Sequence, residues 1–333
     1  MTNINSQNHS TLTPVVAVPL GVPLGSNSGT ESSQVGSSRL LSKATNTRTA
    51  GQSERTHSQR AGRGRIGGAQ LAGIAEALSD RDRAILADLA AHGFLSTRHI
   101  ERLSFTAHNP STGQRLSRRA MTRLDRLGLV QPLARRVGGV RAGSSARIWQ
   151  LSSAGRRLVA LDSIAKRPHE PSPRLLAHSL AIADIHIALR DLAAVNESID
   201  VEVAIESLAW RPYLGLGGDR RLLQPDLALI LSDKDDEGEY EDRWFIEADC
   251  GTESIPTLLK KCQAYEDYRQ SGIEQSEHDV FPRVLWVMQG TRSSSRRDEL
   301  TRRIAHMRLP EGMFSVVEFE DIAAAIFGHG ASS

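Results

Sequence analysis

The sequence predicts an α/β chain in two folded parts: a small basic module of helices and a β-hairpin, then a larger acidic module built on a mixed sheet. Three observations predict it. Charge divides along the chain: residues 79–161 carry 15 Lys or Arg against 5 Asp or Glu, and residues 162–333 carry 19 against 31. The apolar pattern changes at the same place, from helical spacing to short apolar runs alternating with helical segments. Between the parts lies Lys166–Pro173, with three prolines, which reads as a linker. A length of 333 residues suits about two domains.

Several classes are excluded. The two cysteines, Cys250 and Cys262, match no CxxC spacing and form neither a zinc ribbon nor a disulfide framework, which points to the reducing cytoplasm. The apolar stretch Pro14–Leu24 is interrupted by Pro14, Pro19, Gly21 and Pro23, and no Lys or Arg precedes Arg39, so it lacks the basic start of a signal peptide. No apolar run approaches the about 18 residues of a transmembrane helix, so no membrane partner is expected.

Residues 1–70 contain no Phe, Trp or Tyr and are rich in Ser, Thr, Asn, Gln and Gly. Such a segment buries too little apolar surface to offset its ordering entropy and is expected to be disordered. Arg60, Arg63 and Arg65 near its end are free to touch phosphates, or simply to keep a tether solvated.

The first folded part is assigned to residues 71–165. Ser79 caps a helix with Asp82 in its first turn and Ile85, Leu86, Leu89 and Ala90 at helical spacing; Gly93 ends it. Ser96 caps a short helix with Ile100 and Leu103 inward. After a loop containing Asn109-Pro110, a third helix over about Gly113–Leu127 carries Leu116, Ala120, Leu124 and Leu127 on one face. Arg115, Arg118, Arg119, Thr122, Arg123 and Arg126 occupy the rest of its surface. Two strand-like stretches follow, Leu129–Val137 and Ala146–Leu151, around the flexible turn Gly138–Gly143. A last helix, capped by Ser152 or Ser153, runs through Leu161.

Helix, helix, Arg-rich helix, hairpin, helix is the order of a winged helix-turn-helix. An Arg-faced helix suits the major groove of double-stranded DNA, where guanidinium groups pair with guanine or phosphate. Arg135, Arg136, Arg141 and Arg147 on the wing suit phosphates or the minor groove. An exposed charged helix with no partner is the plainer alternative, but Asp125 is the one acidic residue on the third helix to balance its arginines.

The second part is assigned to residues 174–328. A long helix, Arg174–Val195, carries Leu175, His178, Ile182, Ile185 and Leu189 on one face, where His178 reads as a packed, hydrogen-bonded histidine. Strands follow at Val201–Ile205, Leu222–Leu231 and Trp244–Ala248, with a turn at Gly215–Gly218 and an acidic loop at Ser232–Asp242. A helix at Ile255–Arg269, a strand at Val284–Met288, a helix at Arg296–Met307 and a strand at Ser315–Phe319 complete an α/β sheet with helices on its faces.

Asp226 follows Pro225, and Glu247 and Asp249, two apart, share one side of the next strand. If the strands are neighbours, three carboxylates converge and repel unless a cation sits among them. Oxygen-only ligation suits Mg²⁺ or Mn²⁺, which binds a scissile phosphate and lowers the pKa of an attacking water.

Pro225-Asp226 followed by Glu247-Ala248-Asp249 resembles the PD-(D/E)xK nuclease fold, which uses an Asp, then an acidic residue, one spacer and a Lys. Asp226 and Glu247 match the two acidic positions, whereas Asp249 stands where the Lys belongs. Lys260 or Lys261 on the next helix is a candidate to supply that amine from a different place. The whole chain resembles the bacterial replication-relaxation family over about Leu78–Arg303. The matching residues are His178-Ser179-Leu180 with Ala183-Asp184, then Gln224-Pro225-Asp226, then Phe245 through Glu253, then Lys261 with Tyr265. That resemblance implies a DNA-binding protein of plasmid or mobile-element replication and relaxation, with double-stranded DNA as partner, and a homodimer or other plasmid replication proteins as further partners. It leaves two roles open for the second module. One is a metal-dependent nickase in which Asp226, Glu247 and Asp249 hold the ion and Lys260 or Lys261 assists. The other is an inactive scaffold in an accessory or regulatory protein. Tyr265 reads first as a core or helix-surface residue, nothing in the spacing demands that it or Tyr268 serve as a nucleophile, and Glu253 is placed to cap the helix that follows.

Overall fold

The computed structural model describes residues 66–133, 147–159, 170–196, 198–215, 217–233 and 240–328. The Arg60–Arg65 cluster, most of the wing with Arg135, Arg136 and Arg141, and most of the acidic loop lie outside them.

Caps and buried apolar faces set the first elements. Helix α1 (Gly68–Glu76) starts inside the stretch that composition assigns to the tail, because Leu71 and Ile74 pack into the first hydrophobic cluster. Helix α2 (Asp80–His92) opens on a capping box: the Asp82 N–H donates to Ser79 Oγ at 3.3 Å and the Ser79 N–H to Asp82 Oδ2 at 3.0 Å. After the short strand β1 (Leu95–Ser96), Ser96 caps helix α3 (Thr97–Ser104). Helix α4 (Pro110–Arg126) begins three residues before the expected Gly113. Asn109-Pro110 is its start, with Asn109 accepting from the Thr112 N–H and Pro110 where a helix needs no N–H donor. Strands β2 (Val130–Pro132) and β3 (Ile148–Leu151) pair antiparallel, and β3 also pairs with β1, giving the order β1-β3-β2. Ser152 caps helix α5 (Ser153–Leu158).

The larger part is a mixed α/β layer structure. Helix α6 (Pro173–Val195) leads into strand β4 (Ile199–Ile205), a 3-10 turn (Glu206–Leu208), and strands β5 (Arg211–Leu214), β6 (Arg220–Leu223), β7 (Leu227–Asp233) and β8 (Tyr240–Asp249). Helices α7 (Ile255–Gln270) and α8 (Ile273–His278), strand β9 (Arg283–Met288), helix α9 (Ser293–Ala305), strand β10 (Phe314–Glu318) and helix α10 (Ile322–Phe327) follow. The main sheet has the order β10-β9-β8-β7-β4; β4, β7 and β8 are antiparallel neighbours, and β8, β9 and β10 run parallel. The expected single strand Leu222–Leu231 is two strands, because Gln224-Pro225-Asp226 breaks it. β6 pairs with β5 in a separate hairpin, and only β7 joins the main sheet.

Period-two alternation along the sheet divides two cores. Trp244, Ile246 and Ala248 of β8 pack under α6 and α10. Phe245 points the other way, toward Leu258, Tyr265 and Tyr268 of α7 and Leu300 of α9. Glu247 and Asp249 share the side of Phe245, which aims both acids at α7 and α9. The described residues form one compact unit. Helix α6 links its two parts: Ala183 and Ile187 enter the α2–α4 cluster, while Ile182, Ile185 and Leu189 face the sheet. No helix among the described residues is long and apolar enough to cross a membrane.

Candidate functional site

Asp226 lies in the break between β6 and β7. β7 starts at Leu227, which pairs with Ile246, and the Ala248 N–H donates to Asp226, so Asp226 lies beside Glu247 at the end of the β7–β8 pair. Both are buried, at 7% and 2% exposure. Asp226 Oδ1 lies 3.0 Å from His178 Nε2, and Oδ2 accepts from the Ala248 N–H at 2.8 Å. Glu247 Oε1 accepts from the Tyr265 hydroxyl at 2.7 Å, and Oε2 from Lys261 Nζ at 3.0 Å. Lys261 and Tyr265 are four apart on α7, so they stack on one helix face. Lys260, one position back, is exposed with no partner among the described residues.

The electrostatics follow from burial and charge. Burial, then the neighbouring charge of Asp226, pushes the Glu247 carboxyl up to about 7. Burial works against the charge on Lys261, but Glu247 and Asp226 outweigh it and hold the ammonium above the ordinary lysine value. The hydrogen bond to Asp226 pushes His178 up to about 10. His178 is thus hydrogen-bonded, as the sequence suggests, and its partner is Asp226, which favours its charged form. Tyr265 is fully buried, and burial beside Glu247 raises its hydroxyl well above the usual value, so it stays a donor. Tyr268 donates to Glu274 instead, at 2.8 Å, away from the two acids.

Asp249 is elsewhere engaged. Arg296 Nε of α9 donates to its Oδ2 at 2.5 Å, and the Gly251 N–H reaches Oδ1 at 3.2 Å, in a turn that Gly251 makes with φ 72°. Glu253 does not cap α7; Ser254 does, and Glu253 takes Arg174 at 2.9 Å and lies 3.7 Å from Lys261. Among the described residues no three His, Cys, Asp or Glu side chains are grouped to hold a metal ion. The carboxylate oxygens of Asp226 and Glu247 are the donor type that a hard divalent ion takes, and each already accepts a protein hydrogen bond.

Two residues of this neighbourhood had no sequence signal. Glu206 holds a left-handed backbone, φ 51°, which is strained for a residue with a side chain. Its N–H donates to the Asp226 carbonyl at 2.9 Å, and burial, then the charge of Asp226, raises its carboxyl. Arg296 was legible as helical but not as the partner of Asp249.

On α4, Arg115, Arg118, Arg119, Thr122, Arg123 and Arg126 are all exposed. Arg123 is tied to the buried Asp82, and the Thr122 hydroxyl donates to the Arg118 carbonyl at 2.8 Å. Arg115, Arg118, Arg119 and Arg126 have no side-chain partner among the described residues. Arg147 stacks over Trp149, 5.5 Å from the ring centre.

A family model described as replication-relaxation matches residues 86–284, more than half of the chain. The chain belongs to the replication-relaxation family. The match spans α4, Asp226, Glu247, Asp249 and both lysines of α7, and α9 with Arg296 lies beyond it. No curated protein and no solved structure matches the chain.

Proposed function

We propose that this member of the replication-relaxation family binds double-stranded DNA through a winged helix-turn-helix and cuts one strand at a PD-(D/E)xK-like site whose lysine has moved to a helix. The order α2, β1, α3, α4, β2, β3 and the unpartnered arginines of α4 support the first half. The second half is carried by one observation: Lys261 Nζ lies 3.0 Å from Glu247, whose neighbour Ala248 donates its N–H to Asp226.

In this reading Asp226 and Glu247 would hold Mg²⁺ or Mn²⁺, which when bound polarises a phosphate oxygen and lowers the pKa of an attacking water. His178 and the Ala248 N–H fix the orientation of Asp226, and Tyr265 fixes that of Glu247. Lys261, protonated by its acidic surroundings, offers a cation to the phosphate and its developing charge. Asp249 acts through Arg296 to anchor α9 rather than as a third ligand. The test is nicking of supercoiled plasmid in Mg²⁺ or Mn²⁺ with Lys261→Met and Lys260→Met. Lys261→Met should lose at least about a hundredfold in rate, the scale of one preorganised donor, while Lys260→Met keeps wild-type activity. Equal effects of the two substitutions would refute the migrated lysine.

A second reading is favoured by a specific observation. Every oxygen of Asp226 and Glu247 already accepts a protein hydrogen bond, and Arg296 occupies Asp249. Such a network is complete without an ion and suits a scaffold in an accessory or regulatory DNA-binding protein. Calorimetric titration with Mn²⁺ separates the two, because the scaffold gives no heat that depends on Asp226 and Glu247.

A further inference from the structure

Between β4 and β7 the chain leaves the main sheet for residues 206–226 and returns to its starting point. The Glu206 N–H on the Asp226 carbonyl, at 2.9 Å, closes the base of this excursion. The excursion is the β5–β6 ribbon, and its two faces differ. Tyr213 and Leu223 are buried in the core beneath α7. Arg221 bonds Asp219 at 2.6 Å and Asp267 of α7 at 2.8 Å, and Arg211 bonds Glu274 of α8 at 3.1 Å, so the ribbon is braced at both strands.

The opposite face is set by the register Pro212↔Leu222 and Leu214↔Arg220, which puts those four side chains together. Leu214 is 61% exposed and Leu222 46%, and Leu208 on the adjoining 3-10 turn is 54% exposed. Three of the large apolar side chains left in water thus fall within one short stretch beside Asp226. Arg220 on the same face is exposed and has no partner among the described residues.

We propose that this ribbon is a second nucleic-acid contact that unstacks base pairs beside the carboxylates, with Leu214 and Leu222 as wedges and Arg220 on a backbone phosphate. The inference rests on the DNA reading above and deepens it. Charge complementarity chooses the occupant, because an unpaired guanidinium on an apolar face meets both the phosphate and the base stack of DNA. A two-stranded ribbon is one of the elements that a DNA groove admits, and leucine is a recurrent wedge between base steps. Distance allows it: Leu222 is four residues from Asp226, at most about 14 Å of chain, or about four base-pair steps. A phosphate held at Asp226 brings the neighbouring base pairs under the ribbon. Local unstacking there would expose a single strand where a relaxing protein needs one.

The experiment uses the full chain and a supercoiled plasmid probed with permanganate, which oxidises unstacked thymines, alongside fluorescence anisotropy on a duplex. Wild type should create reactive thymines. Leu214→Ser combined with Leu222→Ser should reduce that reactivity at least about fivefold while lowering duplex affinity less than about threefold, since α4 still binds. Arg220→Ala should reduce the salt slope of binding by about one. Wild-type reactivity persisting in the double variant would overturn the inference and leave the DNA reading standing. So would conversion of a dimer to a monomer with DNA contacts unchanged, because the patch would then belong to a second copy. Wild type that binds no DNA at all overturns both.

Discussion

Asp249 shows how a single side chain changes the chemistry of its strand. It sits on the same side of β8 as Glu247, yet Arg296 holds it, and its side chain is 1% exposed. Removing Arg296 strands a buried charge. Arg296→Ala is therefore expected to cost about 3–5 kcal/mol in urea unfolding, and adding Asp249→Asn should recover much of that loss; a cost below about 1 kcal/mol would show that the pair is not buried in solution. The two-residue spacing made the shared direction of Glu247 and Asp249 legible in the sequence. It could not reveal that α9 would bring a guanidinium to one acid and α7 an ammonium to the other, because those contacts join residues 14 and 47 positions apart. The choice of Lys261 over Lys260 has the same origin. Only the helix phase relative to Leu258, Cys262 and Tyr265 decides which amine turns inward, and that phase is set by packing. The link between Asp226 and His178 depends on α6 crossing the sheet and had only the family resemblance to suggest it.

The elements were legible where local chemistry fixes them. Ser79, Ser96 and Ser152 cap the helices that the sequence assigns to them, and α6, α7, β9 and β10 fall within a few residues of expectation. The β5–β6 hairpin was not legible, since Leu222–Leu231 reads as one apolar run and only tertiary pairing shows that Pro225 divides it. Helices α8 and α10 are short and carry too few turns for a periodic signal. For α4 the expected behaviour follows from its unpartnered arginines. Arg118→Ala with Arg119→Ala should weaken duplex binding and lower the slope of log affinity against log salt by about two. Unchanged affinity and slope across a salt titration would show that α4 is not the DNA-facing element.

At the scale of the molecule, α6 couples helices α2–α4 to the sheet, and histidines lie in that seam. His92 Nε2 and His186 Nδ1 are 3.0 Å apart with stacked rings, and His99 lies 3.1 Å from Asp184 of α6. Burial pushes His186 down to about 4 and His92 well below the usual histidine range, so both are neutral in the native state. The unfolded chain takes up protons below about pH 6.5 that the native seam refuses, so this contribution is present above that pH and is lost as pH falls toward 4. From His186 alone the loss between pH 7 and pH 5 is about 2 kcal/mol. Asp88 of α2, raised by burial to about 6, acts in the opposite sense over the lower part of that window. The comparison that isolates the imidazole is therefore urea unfolding of wild type and His186→Phe at both pH values. The variant should lose less stability on acidification, and parallel losses would contradict a neutral buried pair.

The charge division that separates the two parts in the sequence also describes their proposed work, with guanidinium groups on the DNA and carboxylates around an ion. The most direct measurement of that claim is conversion of supercoiled plasmid to the nicked form in Mg²⁺ or Mn²⁺, read beside duplex affinity, for wild type and Asp226→Ala. Nicking by wild type, abolished in Asp226→Ala with duplex affinity retained, is the predicted result. Equal nicking by both proteins, or none by wild type on DNA that it binds, would contradict it.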